Sequence, residues 1–187
     1  MVLDIASGTG DIARGLAKQV KGKWKIIATD INDTMLFIGR DRAIDQSLLN
    51  QIKHILADAE NLPFKDNCFD RITLAFGLRN MTHKEKALSA LYRVLKPGGK
   101  CLILEFSHPT QAWVKKTYNA YSFHIIPALG EWIAKDRESY QYLVESIRMH
   151  PDQESLTKMM QDAGFEDVTY FNLAGGIVAL HVGWKYQ

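Results

Sequence analysis

The chain has 187 residues, 47% of them hydrophobic, with 23 Lys and Arg against 21 Asp and Glu for a formal charge of +2. That length and apolar content suit one α/β domain with a sizeable core and exclude a disordered or fibrous protein. The balanced charge excludes a nucleic-acid grip built on phosphate neutralisation, so no nucleic-acid partner is expected. Cys68 and Cys101 stand far apart, outside any Cys-x-x-Cys or Cys/His cluster, which fits a reducing, cytoplasmic setting. The apolar runs fall far short of the roughly 18 residues that span a bilayer. No basic stretch followed by an apolar one opens the chain, so no signal peptide is expected, and membrane contact is at most peripheral.

Apolar segments rich in β-branched residues alternate with helical patterns, the βαβ rhythm of a mostly parallel sheet. The first predicted strand covers 2–5 and opens through Gly8 and Gly10 into a helix over 11–20. This helix carries Ile12, Leu16 and Val20 on one face, has Asp11 at its positive end and stops before Gly22. A strand at 26–29 leads to a second helix capped by Asp33, and strands at 54–57 and 71–76 follow. The third helix, at 84–95, breaks at Lys96-Pro97-Gly98-Gly99 ahead of a strand at 101–106. A helix over 153–163 is capped by Asp152 and ended by Gly164, and the last two strands fall at 168–172 and 177–185.

These elements predict an α/β fold with a Rossmann-like sheet of seven mostly parallel strands, helices on both faces, in one domain over 1–187. A helical insertion is expected at about 108–150. A doubly wound sheet normally covers both faces of its first strand. Because Met1 runs directly into that strand, an N-terminal helical segment is expected to be missing, leaving apolar surface that favours a homodimer or a larger complex.

The strongest local signal is Val2-Leu3-Asp4-Ile5-Ala6-Ser7-Gly8-Thr9-Gly10-Asp11, a strand that turns through two glycines into a helix and lets a ligand approach the backbone closely. Asp30, twenty residues past Gly10 at the end of the second strand, can accept hydrogen bonds from both hydroxyls of a ribose. Each such charge-assisted bond is worth about 1.5 to 3 kcal/mol. Gly8-x-Gly10-x-x-Ala13 also satisfies a loose dinucleotide fingerprint, so a nicotinamide cofactor competes with S-adenosylmethionine. Asp4 favours the latter, because an acid before the glycine turn suits a cationic amino-acid tail and repels a pyrophosphate. Asp58 and Ala59, leaving the third strand on the same sheet edge, are placed to read adenine N6 and N1 through a carboxylate and a backbone N–H. Phe69-Asp70-Arg71-Ile72 then opens the fourth strand, and this spacing is similar to that of class I methyltransferases.

The chain further resembles the ubiquinone/menaquinone biosynthesis C-methyltransferase family. The resemblance is carried by Leu3-Asp4 with Gly8-Thr9-Gly10-Asp11, Asp30-Ile31-Asn32, Ala59-Glu60-Asn61-Leu62-Pro63-Phe64 and Phe76-Gly77-Leu78-Arg79-Asn80. It continues through Tyr92-Arg93-Val94-Leu95-Lys96-Pro97-Gly98-Gly99, Leu104-Glu105-Phe106-Ser107, Ala120-Tyr121-Ser122-Phe123-His124 and Glu145-Ser146-Ile147-Arg148-Met149-His150-Pro151. The resemblance implies cofactor contacts at Thr9, Asp30, Asp58, Ala59 and Ala75, beside those read above for Asp4, Gly8 and Gly10. The family often has glycine at Ser7 and serine at Ala75, and its N-terminal segment supplies a lid and substrate-facing residues. It also implies S-adenosylmethionine-dependent methylation of a polyprenyl quinol ring carbon, with S-adenosylhomocysteine as the second product.

Such chemistry needs an electron-rich ring held in line with the methyl donor and a group that favours the phenolate. Arg79, in the loop after the fourth strand, is expected to stabilise that phenolate or polarise a proton-accepting water, with Asn80 as its orienting partner. The switch point between the first and fourth strands should bring this loop to the ligand. Phe76 is expected in the core, although its ring could approach the sulfonium. Glu105 either faces the pocket or closes a salt bridge. The aromatic-rich region 113–132 suits an apolar roof, with Tyr121 and His124 as substrate contacts. His54, His83, His108, His150 and His181 show no metal-ligand spacing, so no metal is expected. A lipid tail on the substrate would draw a cytoplasmic protein to the membrane surface. The rival readings are a methyltransferase for another small molecule and an inactive binding or scaffold subunit.

Overall fold

A computed structural model describes residues 1–20, 22–109 and 137–187. The described chain forms one seven-stranded sheet. In order along the chain come β1 (Val2–Ile5), α1 (Asp11–Val20), β2 (Ile26–Asp30), α2 (Asp33–Asp45), β3 (Ile52–Leu56) and β4 (Phe69–Ala75). They are followed by α3 (Lys84–Val94), β5 (Leu95–Phe106), α4 (Arg137–Met149), α5 (Gln153–Asp162), β6 (Glu166–Leu173) and β7 (Val178–Lys185). The strand order is β3-β2-β1-β4-β5-β7-β6, parallel except where β7 runs antiparallel to β5 and β6.

β1 is buried at all four positions, as a central strand covered on both faces must be. Strand alternation sends Leu3 and Ile5 to a core shared with Leu88 and Leu91 of α3 and with Leu156 and Met160 of α5. Val2 faces the opposite core, where Ile26, Ala28 and Ile52 meet Ala13 and Ala17 of α1 and Ala43 of α2. Asp4 shares that second face by the same alternation, which puts a carboxylate between the sheet and the first turn of α1.

Several boundaries differ from the sequence expectation, each for a local reason. α2 is capped by Asn32, whose side chain accepts from the Met35 N–H at 3.1 Å, one residue before the expected Asp33. The buried residues of α1 are Ala13, Arg14 and Ala17, and the small side chains of Ala13 and Ala17 let the helix sit close to the sheet. Ile12 is 40% exposed and does not belong to that face. The Lys96-Pro97-Gly98-Gly99 segment ends α3 as expected but is absorbed into β5. Leu95 pairs with Phe69 before a register shift brings Lys100 opposite Arg71, so the break is a bulge inside a strand.

Candidate functional site

Parallel strands that diverge from a common neighbour leave a crevice at their carboxyl ends, and here the reversal of strand order lies between β1 and β4. A cavity of about 820 Å³ opens there, walled by the segments that leave β1, β2, β3 and β4. Two non-glycine residues at its floor adopt positive φ, Ala6 after β1 (49°) and Phe76 after β4 (56°). Such strained positions cost about 1 to 3 kcal/mol each and persist where the surrounding packing imposes them. Gly77 follows Phe76 and abuts Ala6, where any Cβ would collide with the Cβ of Ala6. Only glycine lets the two strand ends approach in this way.

The turn after β1 has Gly8 at φ +53° and Gly10 at φ +75°, and the Gly10 N–H closes it on the Ser7 carbonyl at 2.8 Å. Gly8 lines the cavity. Gly10 does not, contrary to the sequence expectation. It packs against Gly39 of α2, whose own missing Cβ would stand 3.2 Å from the Thr9 carbonyl carbon. The second glycine of the motif therefore serves helix–turn packing. Thr9 lines the cavity, but its hydroxyl is already engaged, donating to Asp11 Oδ2 at 2.9 Å and accepting from Arg42 Nη1 at 2.8 Å. The Thr9 hydroxyl, with Arg14 and Arg42 nearby, holds the Asp11 carboxyl below its usual range.

Of the carboxylates on the cavity wall, the predicted cofactor contacts Asp4, Asp30 and Asp58 are each held differently. Asp4 is 1% exposed; its Oδ1 accepts from the Thr73 hydroxyl at 2.6 Å, while Oδ2 is buried with no hydrogen-bond partner. Burial pushes this carboxyl up to about 7, with the Thr73 hydroxyl bond and the nearby Ala13 backbone N–H opposing the rise and Asp30 adding to it. A buried acid with an orphaned oxygen is under-satisfied. Its environment fits a cationic group arriving from the cavity. Asp30 accepts from the Gly8 N–H at 2.8 Å through Oδ2 and from the Asn32 N–H at 2.9 Å through Oδ1, so each oxygen keeps a lone pair for a further donor. Asp58 caps the short turn Ala59–Asn61 by accepting from the Glu60 N–H at 2.9 Å through Oδ1. Ala59 and Ala75 complete this part of the wall. The described residues thus gather every predicted cofactor contact except Gly10.

The predicted catalytic pair separates. Asn80 lines the cavity. Arg79 is absent from its wall, because the guanidinium turns to the buried Glu105, with Nη1 to Oε1 at 2.9 Å and side-chain exposures of 12% and 2%. The Arg79 backbone N–H also donates to Glu105 Oε2 at 3.1 Å, and the guanidinium bonds the Phe76 carbonyl and lies 5.1 Å from the centre of the Phe106 ring. Arg79 is therefore held as a strut that fastens the β4 loop to the end of β5, with its guanidinium off the cavity wall where it was expected. Glu105 closes the salt bridge, which settles the choice left open by sequence.

Phe76 is likewise corrected: it is 37% exposed and lines the cavity, stacked obliquely on Phe106 with centroids 4.9 Å apart. Met35, Met81 and Thr82 also form the wall and were not expected; nothing in their spacing marks them. Ile12 joins them, since the helix face taken for core points partly to the cavity mouth. Tyr142 of α4, also missed, donates to Asn80 Oδ1 at 3.2 Å across 62 residues of sequence. Tyr121 and His124 lie outside the described residues.

This arrangement can be set beside known proteins. A curated ubiquinone/menaquinone biosynthesis C-methyltransferase UbiE from Serratia proteamaculans is 56% identical over 185 residues, covering 99% of this chain and 74% of that protein. A putative methyltransferase from Bacillus halodurans superposes with a TM-score of 0.64 at 27% identity, over 91% of this chain and 65% of that one. A putative methyltransferase from Haloferax volcanii, in complex with the Trm112 methyltransferase activator, superposes with a TM-score of 0.73 at 18% identity and shares the fold, over 100% of this chain and 82% of that one. The ubiE/COQ5 methyltransferase family model matches residues 1–185. With the glycine turn, the strand-end acids and the sheet order all in the matched span, the chain belongs to the ubiE/COQ5 methyltransferase family.

Proposed function

We propose that the chain, acting as a single domain over 1–187, is an S-adenosylmethionine-dependent C-methyltransferase that acts on the ring carbon of a polyprenyl benzoquinol or naphthoquinol in ubiquinone or menaquinone biosynthesis. The observation that carries the cofactor assignment is the orphaned, buried Oδ2 of Asp4 on the cavity wall, a site for a cationic amino-acid tail. Asp30 takes the ribose hydroxyls, and Asp58 with the Ala59 N–H takes the adenine edge. S-adenosylmethionine, when bound, supplies a methyl group on a positively charged sulfur.

The protein's own part is to hold the ring and favour its ionised form. Asn80 offers amide N–H donors at the cavity wall that can stabilise an ionised quinol oxygen, and it is this ionisation, with the hydroxyl proton passing to water, that enriches the ring carbon to be methylated. Phe76, backed by Phe106, gives that ring an apolar side against which to lie. The Arg79–Glu105 pair fixes the loop from behind, and the ring proton leaves to water. Tyr121 and His124 are assigned to the substrate roof.

An isoprenoid-tailed substrate brings the protein to a membrane surface, and a homodimer or a quinone-biosynthesis complex would cover its exposed apolar side chains. Among the described residues no helix is long and apolar enough to cross a membrane. The test is methyl transfer from radiolabelled S-adenosylmethionine to reduced polyprenyl quinols. Label on a ring carbon supports the reading, and label only on a hydroxyl oxygen, or none, refutes it.

A further inference from the structure

We infer that Tyr142 is a positioning residue for methyl transfer, whose hydroxyl holds the Asn80 amide so that its NH2 edge is presented to the substrate oxygen. This rests on the quinol reading of the cavity given above. Asn80 is the last residue of the short turn Leu78–Asn80. Its backbone is fixed from the sheet side: the Asn80 N–H donates to the Gly77 carbonyl at 3.1 Å, and Glu105 grips Arg79. None of those bonds reaches the side-chain amide. An amide on an sp3–sp2 torsion has two chemically opposite orientations related by a half turn. One presents donors and stabilises a phenolate; the other presents a carbonyl oxygen and repels it.

Tyr142 makes that choice. Its hydroxyl donates to Asn80 Oδ1 at 3.2 Å, which leaves the NH2 group as the free edge. Donation to the amide oxygen also polarises the amide and strengthens its N–H groups as donors. The bond is exposed, with Tyr142 58% accessible, so it competes with water and contributes little to folding. α4 is anchored independently by Val144 and Ile147, which are buried on its inner side. Orientation of a partner at the cavity wall is the consequence left for this hydroxyl.

The test is Tyr142→Phe in the full chain, alone and combined with Asn80→Ala, measuring thermal midpoint, S-adenosylhomocysteine affinity, kcat and KM for a reduced polyprenyl quinol. The expected result is an unchanged midpoint and nucleotide affinity, with kcat and kcat/KM lowered together by about five- to tenfold, the size of one lost hydrogen bond. In the Asn80→Ala background the same substitution should have no further effect, because its route is gone. An unchanged kcat, or an equal loss in the Asn80→Ala background, overturns the inference. So does a fall in midpoint or nucleotide affinity that accounts for the lost rate. A wild-type chain that binds S-adenosylhomocysteine but methylates no quinol overturns the substrate reading and this inference with it. Quinol turnover by the wild type, with additive losses in the double variant, overturns this inference alone.

Discussion

The Gly8 N–H donates to Asp30 Oδ2 at 2.8 Å, so the carboxylate assigned to the ribose is also the latch of the glycine turn. Removing it loses ligand bonds and frees the turn at once. Asp30→Ala is expected to weaken S-adenosylhomocysteine binding by about 2 to 3 kcal/mol, the scale of a charge-assisted hydrogen bond, and calorimetric titration measures it. Asp30→Asn, which keeps an acceptor for Gly8, should fall between the two. Wild-type affinity in Asp30→Ala would count against the ribose assignment.

The Arg79–Glu105 pair predicts a stability phenotype where sequence reasoning expected a turnover phenotype. Both side chains are largely out of water, so truncating one strands the other. Arg79→Ala should lower stability by about 3 to 5 kcal/mol through an uncompensated buried carboxylate. The double substitution Arg79→Met with Glu105→Met should recover much of that loss, as read from urea unfolding. An Arg79→Ala protein with wild-type stability and reduced kcat would restore Arg79 to the chemistry.

Asp4 makes the ligand-free protein sensitive to pH in a defined direction. Its folded carboxyl titrates near 7 against an ordinary 3.8, so between these values the folded state binds more protons than the unfolded one. Stability of the free protein must then fall as pH rises from about 4 to 7, and the cost is fully present above 7. Asp4→Asn is expected to be more stable than wild type at pH 8, by on the order of 2 to 4 kcal/mol, with the gap closing toward pH 4. The same substitution should weaken S-adenosylmethionine binding. Chemical unfolding across that pH range, with and without ligand, checks both signs.

His150 acts in the opposite sense. It is buried, with both ring nitrogens unpartnered, and burial, with Lys84 and Arg79 nearby, pushes it down to about 3 from 6.5. Between those values the unfolded chain takes a proton that the folded one refuses. Stability from this group is complete above about 6.5 and is lost as pH falls toward 3. His181, also lowered by burial, works in the same direction. His150→Gln should flatten the decline in unfolding midpoint between pH 6.5 and 4, and an unchanged slope would contradict the burial argument.

The sheet was legible because strands and helices differ in period and because glycine and proline punctuate them. The acids at Asp4, Asp30 and Asp58 were legible because strand ends on one edge of a parallel sheet converge. What stayed hidden depends on contacts between segments distant in sequence. Arg79 could not be told from a substrate-facing cation until Glu105, 26 residues away, was seen beside it. Phe76 reads as core in any apolar strand, and only its positive φ at the strand end turns it to the cavity. Gly10 reads as a ligand-facing glycine, while the bare backbone of Gly39 explains it by packing. Tyr142 carries no motif, and its role exists only because α4 passes the end of β4.

The most direct measurement is a crystal structure of the chain grown with S-adenosylhomocysteine. The ribose hydroxyls should lie on Asp30, the adenine amino group on Asp58 and the amino-acid tail on the Asp4 side of the cavity, with the sulfur turned toward Asn80 and Phe76. Nucleotide bound elsewhere, or bound here with Asp4, Asp30 and Asp58 all directed away from it, contradicts the account.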